Sequence, residues 1–171
     1  MLDLEPATRV LARIVEGVND DQLTAPTPCP GATVGDLLGH VDGLSMAFTA
    51  AARKERLEGA TGRSSADASP LGDDWRTRIP RRLAGLAAAW RDESAWTGMT
   101  HAGGVDLPAE VAGVVALDEV IVHGWDIAAT SASASLSSSR LHSGLYRRRS
   151  RRTRTAVRGC SGRRPLTVRL G

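Results

Sequence analysis

Pro108-Ala-Glu-Val-Ala-Gly-Val-Val-Ala-Leu-Asp-Glu119-Val-Ile-Val-His123-Gly-Trp-Asp126-Ile-Ala-Ala-Thr130 is the stretch on which the fold turns. Pro108 suits the first turn of a helix, where its missing N–H is not needed. Val111, Val114, Val115, Leu117, Val120, Ile121, Val122 and Ile127 then fall nearly all round a helical wheel. A helix apolar on every side reads as central and buried, here ending near Thr130. Trp125 is expected in its core contacts. The polar residues Asp118, Glu119, His123 and Asp126 are therefore the informative ones.

Upstream, residues 4–18 carry Leu4, Val10, Leu11, Ile14, Val15 and Val18 at near-helical spacing. Gly17 and Asn19-Asp20-Asp21 end that segment. A proline-rich loop follows, Thr24 to Gly31. Thr33 is a plausible N-cap, with Asp36 three residues on as an acidic capping box. The spacing predicts a second helix from Val34 to Arg56, with Leu37, Leu38, Val41, Leu44, Phe48 and Ala51 inward. Residues 59–72, rich in Gly, Ser and Ala, read as a mobile loop. A third helix is expected from Asp74 to Glu93, kinked at Pro80 or starting after Ile79. Residues 94–107 read as irregular, with room for a short extended piece. The whole is all-α, a four-helix bundle with one long loop.

Downstream of Thr130 the composition changes. All nineteen acidic residues lie at or before Asp126, whereas residues 131–171 hold eleven arginines and no Asp, Glu or Lys. The first 130 residues carry −8 and the last 41 carry +11, which together give the net +3. The pI near 9.5 thus describes neither part. Residues 1–130 form the expected helical domain. Residues 131–171 read as a disordered basic Ser/Arg tail. Alanine-, glycine- and arginine-rich composition suggests GC-rich coding DNA, and an abrupt acid-free tail is what a frameshift near codon 130 would give. The rival reading is a basic arm binding nucleic acid through phosphates. That arm has no interleaved aromatic beyond Tyr146.

No run of 18 apolar residues exists, so no membrane span is expected. The N-terminus, Met1-Leu2-Asp3-Leu4-Glu5, is acidic where a signal peptide is basic. A cytoplasmic protein follows, in which Cys29 and Cys160 stay reduced.

Glu119 and His123 are four apart, so a helix projects both from one face. A third metal ligand is offered by His40, mid-helix in the apolar run Leu37-Leu38-Gly39-His40-Val41. Two histidines and a glutamate with an open position suit catalytic zinc better than a closed structural site. The bland alternative is a hydrogen-bonded i,i+4 pair, and spacing alone leaves both open. His101 and His142 read as surface histidines. Asp118 reads as a cap or ion-pair residue. Asp36 and Asp126 lie one turn from His40 and His123, where each could cap a helix or orient an imidazole. Cys29, between two prolines, has no assigned base and is not expected to be a nucleophile. Gly59-Ala-Thr-Gly62-Arg63 lacks the lysine of a phosphate-binding loop.

Two of these segments together carry a resemblance. Thr27-Pro-Cys-Pro-Gly-Ala-Thr-Val-Gly-Asp-Leu-Leu-Gly-His40 resembles the pattern TPCPxWTVxDLLxH, and Glu119-Val-Ile-Val-His123-Gly-Trp-Asp126 resembles E-x-x-x-H-G-W-D. Both belong to metal-binding proteins related to the N-terminal domain of mycothiol-dependent maleylpyruvate isomerase, in the DinB-like superfamily. The resemblance implies a four-helix bundle in an unusual connection order, with a divalent metal, usually zinc, near one end. Its ligand positions match His40, Glu119 and His123. It implies a low-molecular-weight thiol such as mycothiol as cosubstrate, activated for transfer to a small electrophile. A non-catalytic metal-binding role is the alternative, and a homodimer is left open. Ala32 stands where the family has Trp. The isomerase's separate C-terminal domain is not expected here, so isomerisation of maleylpyruvate is not expected either. A frameshifted, impaired family member is the third reading.

Overall fold

Three anchors, one local and two tertiary, decide where the second and third helices begin and end. They are seen in a computed structural model that describes residues 1–56 and 71–140, the last ten by backbone alone. The expected loop from residue 59, His142, Cys160 and most of the basic tail lie outside the described residues. The described residues hold four α-helices, one hairpin and two short 3₁₀ turns: α1 (Glu5–Glu16), a turn at Asp20–Gln22, α2 (Val34–Ala52), α3 (Trp75–Ala89), a turn at Glu93–Trp96, β1 (Met99–Ala102), β2 (Val105–Pro108) and α4 (Ala109–Arg140). α1 and α2 each pack against both α3 and α4. Consecutive α1 and α2 therefore occupy opposite corners of the bundle, the crossed connection order that the sequence resemblance implies.

The first anchor is Thr33. Its side chain accepts a hydrogen bond from the Asp36 N–H at 3.2 Å, and its own N–H donates to Asp36 Oδ2 at 2.8 Å. This reciprocal capping box satisfies two donors at the start of α2. Asp36 is thus held by the cap rather than by His40. Hydrogen bonds from Thr33 also hold its carboxyl below the ordinary value.

The second anchor closes α2 four residues earlier than the expected Arg56. Lys54 adopts φ 61°, the left-handed region usually left to glycine. Its N–H reaches the Ala51 carbonyl at 3.1 Å, and the Glu55 N–H reaches Ala50 at 2.9 Å. Together these form a Schellman-type stop. Lys54 Nζ donates to the Ala95 carbonyl at 3.0 Å, which offsets the backbone strain.

The third anchor starts α3 at Trp75, before Pro80 rather than after Ile79. Pro80 leaves the Arg76 carbonyl without its partner from residue 80. The Arg76 guanidinium ties the helix to the α1 end instead, donating to the Val18 carbonyl at 3.0 Å and to Asp20 at 2.9 Å. It also lies over the Trp75 ring, 4.1 Å from the centroid. Deeper along α3, Arg78 Nε donates to buried Asp42 at 3.0 Å. Arg82 sits 2.7 Å from the other Asp42 oxygen, close enough for an ion pair. Asp42 thereby pins α2 to α3.

The expected irregular stretch holds a short 3₁₀ turn (Glu93–Trp96) and the antiparallel β1–β2 hairpin. Gly103 and Gly104 both take positive φ, 61° and 83°, as a tight two-residue hairpin turn requires. Pro108 ends β2 rather than entering the helix, and Ala109 opens α4 with its N–H on the Gly98 carbonyl at 2.9 Å.

α4 corrects two expectations. It is not buried all round: Ala112, Ala116, Val120 and Ile127 face the core, while Val114, Ile121 and Trp125 face outward, Trp125 at 64% exposure. Val10 on α1 is likewise exposed. α4 also runs on through Arg140 instead of stopping near Thr130. Extending a formed helix needs no new nucleus, and alanine at 132 and 134 favours it. Among the described residues no helix is long and apolar enough to cross a membrane.

The core is mostly aliphatic, with Trp75 buried at the start of α3 and one aromatic pair further along. Trp90 and Trp96 meet edge to face at 5.0 Å, and Trp90 Nε1 donates to the Phe48 carbonyl at 3.1 Å. Gly113 of α4 lies under this pair. A Cβ there would stand 2.6 Å from Trp96 and 2.9 Å from Trp90, so α4 can approach only because position 113 has no side chain.

Candidate metal centre

α2 and α4 pack directly against each other. The α2 cap sets where His40 falls on its helix, and the Gly113 contact sets the depth at which α4 lies. At their contact His40, Glu119 and His123 converge: one ligand-type atom from each lies within 4.8 Å of the others. Glu119 Oε2 is 2.9 Å from His123 Nε2 and 3.4 Å from His40 Nε2. The two imidazoles stand nearly perpendicular, 82°, with centroids 4.6 Å apart. His123 is buried, whereas the His40 and Glu119 side chains are 35% and 33% exposed. The cluster is thus closed on the bundle side and open on one other.

This geometry fits a divalent metal. Donors bound at 2.0–2.1 Å to a tetrahedral ion stand about 3.3 Å from one another. Both histidines turn the same nitrogen, Nε2, toward the shared carboxylate oxygen. The remaining ring nitrogen of His123, Nδ1, is buried without a hydrogen-bond partner and lies 3.7 Å from Asp126 Oδ2. Two neutral imidazoles and one carboxylate form a donor set common to catalytic zinc.

Electrostatics within the cluster are strong without any ion. Hydrogen bonds from His123 first, and from His40 second, hold the Glu119 carboxyl at about 2, well below its ordinary 4.5, against the opposing effect of burial. Burial raises the Asp126 carboxyl, against the pull of His123. A depressed carboxyl stabilises the fold fully above its unfolded value and loses that contribution as pH falls through the folded value. In metal-free protein, unfolding free energy is therefore expected to decline between pH 4.5 and pH 2, and Glu119→Gln to flatten that decline. Urea titrations at stepped pH check this, and equal slopes for the two proteins would contradict it.

The other residues singled out in the sequence lie elsewhere. His101 pairs across the hairpin with Asp106 at 2.9 Å, which Arg56 also engages at 2.9 Å. Asp118 is exposed on the outer side of α4. Trp125 does not join the core. Cys29 is disulfide-bonded, contrary to the expectation of reduced cysteines. It offers no free thiol. The approach of Asp126 to His123 was only half legible: i,i+3 spacing on a helix permits it, but a capping role was equally open.

A family model for the mycothiol maleylpyruvate isomerase N-terminal domain matches residues 4–128, most of the chain. No curated protein and no solved structure matches it. The match spans both sequence motifs and all four helices up to the last turns of α4. The chain belongs to the mycothiol maleylpyruvate isomerase N-terminal domain family.

Proposed function

We propose that this protein holds one zinc ion through His40, Glu119 and His123, and activates a low-molecular-weight thiol of the mycothiol type for transfer to a small electrophile. The observation that carries this reading is the convergence of the three side chains within 4.8 Å, open to solvent on one side, in a chain of a mycothiol-related family. Zinc, when bound, lowers the pKa of a thiol beside it, so that the reactive thiolate is present near neutral pH. Glu119 supplies the one negative charge among the three ligands. With two neutral imidazoles the site keeps one unit of positive charge, which favours an anionic guest such as a thiolate. His123, buried, fixes the inner side of the site. His40 and Glu119, each about a third exposed, border the side where thiol and electrophile enter. The thiol proton leaves to solvent, the sulfur bonds to the electrophile's carbon, and that carbon's leaving group departs with its bonding pair, as chloride in the test substrate below.

The test is turnover of 1-chloro-2,4-dinitrobenzene with mycothiol, using zinc-loaded and chelator-stripped protein. Zinc-dependent turnover, lost in His40→Ala, is the expected result. Zinc bound at one per chain without turnover would overturn the transferase reading and leave a non-catalytic metal-binding protein.

A second reading concerns the basic tail alone. The abrupt loss of acidic residues after Asp126 favours an out-of-frame origin for residues 131–171. The coding DNA tests it: another frame encoding an acidic, apolar continuation is expected, and its absence would refute the idea.

A further inference from the structure

From the pairing of a buried, unpartnered ring nitrogen on His123 with a buried carboxylate one turn away, we infer that Asp126 is the positioning residue of the metal centre. It holds the Nδ1 proton of His123 and so presents the Nε2 lone pair to the ion. The inference rests on the proposed function, because it needs a metal at Nε2.

The geometry is specific. His123 uses Nε2 toward Glu119, at 2.9 Å, so only Nδ1 is left to fix the ring. Nδ1 is buried with no hydrogen-bond partner, and Asp126 Oδ2 is the carboxylate oxygen 3.7 Å away. Both side chains are 7% exposed, so water does not readily take Asp126's place. The residues are three apart on α4, and the inference requires the 3.7 Å separation to close to the charge-assisted range of about 2.7–2.9 Å when the ion binds. A neutral imidazole carries one proton. If that proton sits on Nε2 it points at Glu119 and blocks the ion's position. A carboxylate at Nδ1 stabilises the other tautomer, fixes the ring and makes Nε2 more basic. Asp126's backbone has a separate task, accepting from Thr130 Oγ1 at 3.0 Å, which side-chain substitution leaves intact.

His40 shows the contrast. Its side chain is 35% exposed, and the one carboxylate placed a turn before it, Asp36, is committed to the α2 cap. His123 is thus the ligand whose orientation the protein controls.

The test is zinc affinity by chelator competition for wild type, Asp126→Asn and Asp126→Ala, together with the histidine Nδ1 proton seen by NMR in zinc-loaded, ¹⁵N-histidine-labelled wild type. Stoichiometry is expected to stay at one zinc per chain, with affinity lower by about 10–100-fold in Asp126→Ala and less in Asp126→Asn. In wild type a slowly exchanging, far-downfield Nδ1 proton assigned to His123 is expected. Unchanged affinity in a folded variant, or a His123 Nδ1 proton exchanging freely in wild type, would overturn the role of Asp126 and leave the metal site standing. If neither variant folds, the wild-type proton signal decides alone. Folded wild type that binds no zinc would instead overturn the proposed function, and this inference with it.

Discussion

His123→Ala is expected to lower zinc affinity by at least about 100-fold, more than the loss of an outer-shell partner costs. His123 is the buried member of the trio and the only one whose ring is enclosed by the bundle. Its loss leaves His40 and Glu119, two ligands on partly exposed side chains, and a catalytic zinc site usually takes three from the protein. Chelator competition measures the effect, with circular dichroism confirming that the variant is helical. His101→Ala is the control. That histidine pairs with Asp106 on the hairpin, and its removal is expected to leave zinc affinity unchanged. Equal affinity for His123→Ala and wild type would place any bound zinc elsewhere.

The second large effect is on stability. Trp90→Ala is expected to lower unfolding free energy by about 3–5 kcal/mol, the usual cost of deleting a large buried aromatic. Trp90 is 1% exposed and touches three parts of the fold at once. Its indole N–H holds the Phe48 carbonyl of α2, its ring meets Trp96 edge to face, and both rings roof Gly113 of α4. Removing it leaves a cavity and deletes the hydrogen bond to the Phe48 carbonyl. Whole-domain stabilities are roughly 5–15 kcal/mol, so the variant should sit near its unfolding threshold. Urea unfolding followed by circular dichroism gives the number. A loss below about 1 kcal/mol would mean that Trp90 is not central to the core. The approach of α4 to α2 that brings Glu119 to His40 runs through this same contact, so Trp90→Ala is also expected to weaken zinc binding.

The convergence of His40, Glu119 and His123 was legible because their chemistry conflicts with their surroundings. A carboxylate and two imidazoles on apolar helix faces must be paired or bound to something, and the i,i+4 spacing of Glu119 and His123 allows one target. The capping box at Thr33 was readable for the same local reason. Errors arose where a local pattern had no direction. α4 is apolar on nearly every side, so nothing in its sequence says that Trp125 faces out and Ala116 faces in. Neighbouring α1 and α2 decide that. The stop of α2 at Lys54 carries no glycine to announce it, and depends on Ala95, far along the chain. The start of α3 at Trp75 agrees with the expected Asp74, whereas its end at Ala89 falls short of the expected Glu93. The hairpin was read only as an irregular stretch with room for an extended piece, because strands of four residues are too short for their alternation to show. The part Gly113 plays appears only once Trp90 and Trp96 are placed over it.

Zinc content of the tag-free, full-length protein, purified and then equilibrated with zinc and desalted, tests the metal centre most directly. About one zinc per chain by elemental analysis is the expected result. A helical, folded chain that retains none would contradict it, and would leave His40, Glu119 and His123 as a hydrogen-bonded polar cluster between two helices.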